Sequence, residues 1–187
     1  SAHAIEREFA VMKGLQGTDV PVPRMFALCE DESVMGRAFY VMEYMEGRVL
    51  WDQSLPGMTP AERGAIYDEM NRVISALHSV KFAERGLADY GKPGNYFDRQ
   101  IGRWSKQYLA SVTQPIPEMD QLMAWLPAHM PASARDEAHV SIVHGDFRLD
   151  NLMFHPTEPR VIAVLDWELS TLGHPLADFS YHCMSWH

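Results

Sequence analysis

His144-Gly145-Asp146-Phe147-Arg148-Leu149-Asp150-Asn151 runs straight into the apolar Leu152-Met153-Phe154. A turn later Val161-Ile162-Ala163-Val164-Leu165 leads into Asp166-Trp167-Glu168. Short apolar runs bounded by polar turns read as strands. The stretch is therefore a loop, a strand, a turn, a second strand and a second loop. Asp146 and Asn151 share the first loop, and Asp166 tops the second strand. Strands joined by a hairpin run back alongside each other, so Asn151 and Asp166 are expected close together. One carboxylate can then accept a hydroxyl proton, while an amide and a carboxylate offer oxygen ligands to a hard cation such as Mg²⁺. Phosphoryl transfer from a nucleotide needs this inventory, because its catalysis is mostly positioning and charge neutralisation.

Upstream, the periodicity is mainly helical. His3 to Leu15 carries Ile5, Phe9 and Met12 on one stripe, with Gly14 and Gly17 at its end. Val20-Pro-Val-Pro23 breaks any helix. Arg24 to Cys29 and Ala38 to Met42 read as a hairpin around the turn Glu30 to Arg37, and Gly47 to Gly57 as a linker. Thr59-Pro60-Ala61-Glu62 is a capping box with proline at the first helical position. Ile66, Met70, Val73, Ile74 and Leu77 follow as one buried face, with His78 as a helix-end histidine. Phe97, Ile101, Trp104, Tyr108 and Val112 mark another helix, ended by Pro115 and Pro117, and Glu118 to His129 a third. Val140 to Val143, Leu152 to Phe154 and Val161 to Leu165 are the short strands, and Pro175 opens a last helix. Helices, a hairpin and short strands in this order predict an α+β fold, a small first lobe preceding a helical second one.

The chain's 187 residues are 47% apolar, 11% aromatic and 22% charged, the composition of a globular protein rather than a disordered or fibrous one. Its net charge of −9, from 16 Lys+Arg against 25 Asp+Glu, argues against a nucleic-acid partner. No apolar run is long enough to span a bilayer, so no membrane partner is expected. Cys29 and Cys183 match no metal-ligand spacing and suit free thiols in the cytoplasm.

His-x-Asp with Asn five residues beyond the Asp, followed by a strand-capping Asp, resembles the catalytic and metal-binding loops of protein-kinase-like phosphotransferases. The His144-Gly145-Asp146 form and Leu165-Asp166-Trp167-Glu168 resemble the aminoglycoside phosphotransferase/choline kinase group in particular. Gly91-Lys-Pro-Gly-Asn-Tyr-Phe97 and Arg103-Trp104-Ser105 resemble the branch whose kinase domains are fused to acyl-CoA dehydrogenases. The resemblance implies a two-lobe protein-kinase-like fold cut at both ends. Residues 1–46 would form a partial N-lobe of C-helix, hairpin and hinge, and residues 47–187 a partial C-lobe. It implies a phosphotransferase that uses ATP and Mg²⁺ to phosphorylate a hydroxyl of a small molecule, a hydroxyacyl-CoA being one candidate. By position, Asp146 would be the catalytic base, and Asn151 and Asp166 would hold the metal. Glu8 would be the C-helix acid that pairs with a phosphate-contacting Lys. Backbone groups of Glu43 and Met45 would meet the adenine edge, and Asp178 would brace the catalytic loop.

Other readings stand beside this one. His144 could be a base, but a histidine so placed more often packs or bonds the loop. Arg99, Arg103 and Lys106 share the helix face opposite Phe97, Ile101, Trp104 and Tyr108. They are either a solvated face or a basic patch for an anionic acceptor. A metal-dependent hydrolase could be built from His144, Asp146, Asp166, His174, Asp178 and His182, and a non-catalytic pseudokinase could keep the same loops. The chain opens on Ser1, stops at Ser185-Trp186-His187, and lacks a glycine-rich phosphate loop and its Lys. The expectation is a piece of a longer product, a weak catalyst by itself.

Overall fold

The computed structural model describes residues 5–135 and 137–184. The expected residues 3 and 4 of the first helix and the ending 185–187 lie outside them. The chain divides into two compact units, Ser1–Lys92 with Ser141–His187, and Pro93–Val140.

In the larger unit, α1 (Ile5–Leu15) buries Val11, Met12 and Leu15 and packs against β1 (Met25–Cys29) and β2 (Phe39–Met42). These two strands pair antiparallel from Met25↔Met42 to Cys29↔Phe39, with a bulge near Met25. Their connection is not a simple turn. Asp31 accepts from Ser33 N and caps a one-turn helix, α2 (Glu32–Met35), which Gly36 closes at φ 80°.

β3 (Arg48–Val49) falls within the stretch read as a linker. It pairs with β5 (Leu152–Phe154), which pairs in turn with β6 (Val161–Val164). A side chain at Gly47 would place its Cβ 2.6 Å from Phe154 O, so a strand can approach there only if that residue is glycine. β4 (Ser141–Val143) pairs with β7 (Thr171–Gly173). Neither β3 nor β7 carries a pattern long enough to read from sequence.

The capping box forms as expected and starts α3 (Pro60–Ser79). The Thr59 side chain accepts from Glu62 N, and Glu62 accepts from Thr59 N at 2.7 Å. Its stripe Ile66, Met70, Val73, Ile74 and Leu77 is buried, and at about 1.5–3 kcal/mol per large apolar side chain this face anchors the helix. Glu69 Oε1 accepts from Val161 N at 3.0 Å, fixing α3 to the start of β6.

In the smaller unit, α4 (Tyr96–Ser111) and α5 (Pro117–Ala128) pack on each other. Asp98 faces Arg135 at 3.7 Å. Only Tyr96 of α4 is fully buried, and Trp104 is 51% exposed, so the apolar stripe read from sequence is only partly covered. Pro117 opens α5 as well as separating it from α4. The last helix, α6 (Pro175–Cys183), belongs to the larger unit and is capped by His174, whose ring accepts from Leu176 N. Among the described residues no helix is long and apolar enough to cross a membrane.

Candidate active site

The His144–Asn151 loop leaves β4 and enters β5. Its glycine is a geometric requirement. Gly145 sits at φ 86°, and a Cβ there would lie 2.9 Å from Leu169 O. A side chain would be strained by its backbone and blocked by the next loop at once.

Asp178 on α6 holds this turn from below. Its carboxylate, 2% exposed, accepts from His144 N at 2.6 Å and Gly145 N at 2.8 Å. His78, in the last turn of α3, faces the same carboxylate at 3.2 Å. The helix-end histidine is thus part of the loop's support, which sequence position alone did not reveal.

His144 is fully buried against Phe147 and Trp167. Its Nδ1 accepts from Asp146 N at 3.3 Å, and its Nε2 lies 2.8 Å from Leu165 O. A neutral ring with the proton on Nε2 satisfies both. Burial pushes its pKa down, while Asp178, the Leu165 carbonyl, Asp146 and Asp166 pull it up. His144 is therefore a packed, hydrogen-bonded ring joining the two loops.

Asp146 itself is half-buried. Asn151 Nδ2 donates to Asp146 O at 2.9 Å and to Asp146 Oδ2 at 3.0 Å. With Nδ2 so used, the Asn151 Oδ1 is the atom turned away from the aspartate. Leu165 N donates to Asn151 O at 2.9 Å across the β5–β6 pair, which brings Asp166 to the same end of the hairpin. Asp166 is exposed and adopts the left-handed region at φ 60°. That conformation costs a non-glycine residue about 1–3 kcal/mol and persists where the surroundings hold it. Here the neighbouring Trp167 is buried and donates from Nε1 to Val164 O at 2.9 Å. An amide oxygen and an exposed carboxylate form an all-oxygen donor set, which fits a hard cation.

Arg148 pairs with Asp150 through Nε at 2.5 Å and Nη2 at 2.7 Å. Tyr181 lies on α6, and burial, followed by the nearby Asp146, raises the pKa of its phenol. Sequence reading missed Tyr181, although its place three residues after Asp178 puts both on one helix face. It also missed Tyr40 on β2, whose hydroxyl donates to Glu8 Oε2 at 3.3 Å. Burial first, then the charges of Glu8 and Asp166, push the Tyr40 phenol up to about 12.

After residue 166 the chain turns tightly. Ser170 N donates to Trp167 O at 3.0 Å, Tyr90 OH lies 2.5 Å from Ser170 Oγ, and Arg7 Nη2 donates to Ser170 O at 3.2 Å. The Arg7 guanidinium also sits 4.5 Å from the Tyr90 ring centre.

Glu43 continues the β1–β2 pairing. Its N–H donates to Arg24 O at 2.8 Å and its carboxylate accepts from Arg24 N at 3.2 Å. The group Glu43 can offer a nucleotide is thus its carbonyl. Met45 is half-buried two residues on, beyond the exposed Tyr44. In the smaller unit, Arg99, Arg103 and Lys106 are all exposed on α4. Arg99 Nη1 donates to Gly94 O, and the Arg103 guanidinium lies 5.5 Å from the Trp104 ring centre.

The hydrolase reading gains nothing from this geometry. Among the described residues, no three His, Cys, Asp or Glu side chains gather into a group able to hold a metal. His174 caps α6, and His182 is buried with a lowered pKa.

The model of the phosphotransferase enzyme family matches residues 1–187. Acyl-CoA dehydrogenase family member 10 of Mus musculus is 52% identical over all of this chain, which covers 17% of that relative. This chain spans less than a quarter of the first curated relatives it matches. The crystal structure of a candidate aminoglycoside phosphotransferase from Ralstonia eutropha JMP134 is 73% identical, with a TM-score of 0.94. The match covers 98% of this chain and 55% of that one. The ternary complex of the phosphotransferase APH(2")-IIa with streptomycin and ATP shares the fold at a TM-score of 0.65 and 17% identity. There the match covers 93% of this chain and 57% of the other. Kinase-like loops, a kinase-like fold and a match along the whole sequence agree: the chain belongs to the phosphotransferase enzyme family.

Proposed function

We propose that this chain carries the catalytic loops of an ATP- and Mg²⁺-dependent phosphotransferase that moves the γ-phosphate to a hydroxyl of a small molecule. The observation that carries the reading is the Asp146 carboxylate, held by Asn151 at 3.0 Å on a loop that Asp178 pins through two backbone N–H groups. Residues 1–46 serve as the nucleotide-facing lobe and residues 47–187 as the catalytic one.

Asp146 orients the acceptor hydroxyl and takes its proton as the oxygen bonds to the γ-phosphorus and the bond to the β-phosphate oxygen breaks. Asn151 Oδ1 and Asp166 hold the cation, which supplies charge neutralisation at the phosphates. Glu8 serves the nucleotide side from α1, and the Glu43 carbonyl and Met45 N–H meet the base edge. His144 and Asp178 keep the loop in shape. Arg99, Arg103 and Lys106 contact an anionic acceptor. Kinship with acyl-CoA dehydrogenase family members supports a hydroxyacyl-CoA as the candidate, in a cytoplasm where Cys29 and Cys183 stay reduced.

The test is Asp146→Asn in the full-length protein, which removes the proton acceptor and keeps the shape. Loss of a general base lowers turnover by about 10²- to 10⁴-fold. Transfer of phosphate at the wild-type rate by the folded variant removes Asp146 from the mechanism.

A further inference from the structure

Three stretches far apart in sequence meet at Ser170. Arg7 comes from α1, Tyr90 from the chain between α3 and α4, and Ser170 from the turn between Asp166 and β7. Tyr90 and Ser170 are both buried. Ser170 Oγ donates to Trp167 O at 2.5 Å, which spends its proton, so Tyr90 OH donates to Ser170 Oγ. Arg7 Nη2 donates to Ser170 O at 3.2 Å, with its guanidinium 4.5 Å from the Tyr90 ring centre. A planar guanidinium can lie over a ring and still aim its N–H groups sideways at a carbonyl.

Tyr90 is a fixed platform for that contact. A Cβ at Gly91 would lie 2.7 Å from Leu172 N, so the backbone beside Tyr90 rests directly on β7. Leu87, at the other end of the same stretch, holds α1 a second time, since a Cβ at Gly14 would lie 2.8 Å from Leu87 Cδ1. Residues 7 and 14 are about two helical turns apart and share one face of α1. That face meets residues 87–91 at both ends, once through a glycine that permits close approach and once through Arg7.

Glu8 follows Arg7 and leaves the helix about 100° further round. There Tyr40 OH donates to its Oε2 at 3.3 Å. Any shift of α1 moves Glu8 with it, while Asp166 opens the turn that Arg7 grips at residue 170. We infer that Arg7 is a positioning residue, which fixes α1, and Glu8 with it, against the turn that carries Asp166. This rests on the phosphotransferase reading and deepens it. Arg7 acts through the spacing of two carboxylates, one serving the nucleotide side and one the cation.

The test uses the full-length protein carrying Arg7→Met, which keeps a long side chain and removes its charge and donors. Without any ligand, hydrogen exchange at the Ser170 amide speeds up about fivefold or more, because the turn has lost its tether. In calorimetry, Mg²⁺-ATP binds about fivefold more weakly or worse, while metal-free ATP changes by less than about twofold, because a misplaced Asp166 acts only through the cation. Arg7→Lys keeps a cation and one donor, and its losses fall between those of Met and wild type. Asp166→Gly removes the carboxylate and suits the φ of 60° there. In that background Arg7→Met costs no further Mg²⁺-ATP affinity, since both changes act at one point. Unchanged exchange at Ser170 overturns the inference. So does equal weakening with and without Mg²⁺, a Lys variant no better than Met, or full additivity with Asp166→Gly. A wild-type protein that binds no Mg²⁺-ATP overturns the phosphotransferase reading and the inference with it, so the two failures are told apart.

Discussion

Asp178→Ala removes the acceptor of two short hydrogen bonds from backbone amides, His144 N at 2.6 Å and Gly145 N at 2.8 Å, in a site 2% exposed. A buried donor left unsatisfied costs about 1–3 kcal/mol, and hydrogen bonds to a charged group sit at the upper end of the usual range. Two orphaned amides give a loss of about 3–5 kcal/mol, offset in part because no carboxylate has to be buried. Against a total stability of about 5–15 kcal/mol, that is a large fraction. Asp178→Asn keeps one oxygen acceptor and should lose about half as much. Urea denaturation followed by circular dichroism measures both, and hydrogen exchange at the His144 and Gly145 amides reports the loop directly. The expected order is wild type, Asn, Ala, with faster exchange at those two amides in the Ala variant. An Ala variant within about 1 kcal/mol of wild type, with unchanged exchange, would refute the brace.

Asp166→Ala should weaken binding of Mg²⁺-nucleotide far more than binding of metal-free nucleotide, since the lost ligand acts through the cation; equal weakening in calorimetry with and without Mg²⁺ assigns Asp166 to folding. Charge reversal at Arg99 and Arg103 should raise the acceptor KM and leave the nucleotide KM unchanged, and if neither constant moves the α4 face is simply solvated. His144 and His182 have folded pKa values lowered by burial. The unfolded chain, with histidines near pKa 6.5, therefore binds protons that the native state does not. Stability is full above about pH 6.5 and falls as pH drops, by up to about 1.4 kcal/mol per pH unit for each histidine. Denaturation at pH 7.5 and 5.5 checks this, and a His144→Asn variant whose pH slope equals that of wild type would remove His144 from the account.

Where the sequence carried long periodic signals, it described the structure well. The α3 stripe and its capping box appear as read, because five apolar residues on one face and a Thr-x-x-Glu start leave few alternatives. The paired strands around Asn151 and Asp166 were legible as apolar runs bounded by polar turns. β3 and β7 were not, since neither Arg48-Val49 nor Thr171-Leu172-Gly173 is an apolar run, and each is a strand only through its pairing with β5 or β4. The site shows the same division. Asp146, Asn151 and Asp166 announce themselves by spacing on two neighbouring loops. Tyr181, Tyr40 and His78 come from three separate helices and strands, and only the packing of α3, α6 and β2 brings them to those loops.

The tight turn after Asp166 has a consequence for control. Residues 167–170 alone join Asp166 to β7, and Ser170 is tied to both Arg7 and Tyr90. In protein kinases a long segment at this point is ordered by phosphorylation, and helix and loop assemble only then. A turn this short gives a phosphate nothing to reorganise, and the Arg7 tether already joins α1 to the turn. Under the proposed function, assembly of the two loops would rest on packing within the chain, and throughput would be set by the concentrations of the two substrates.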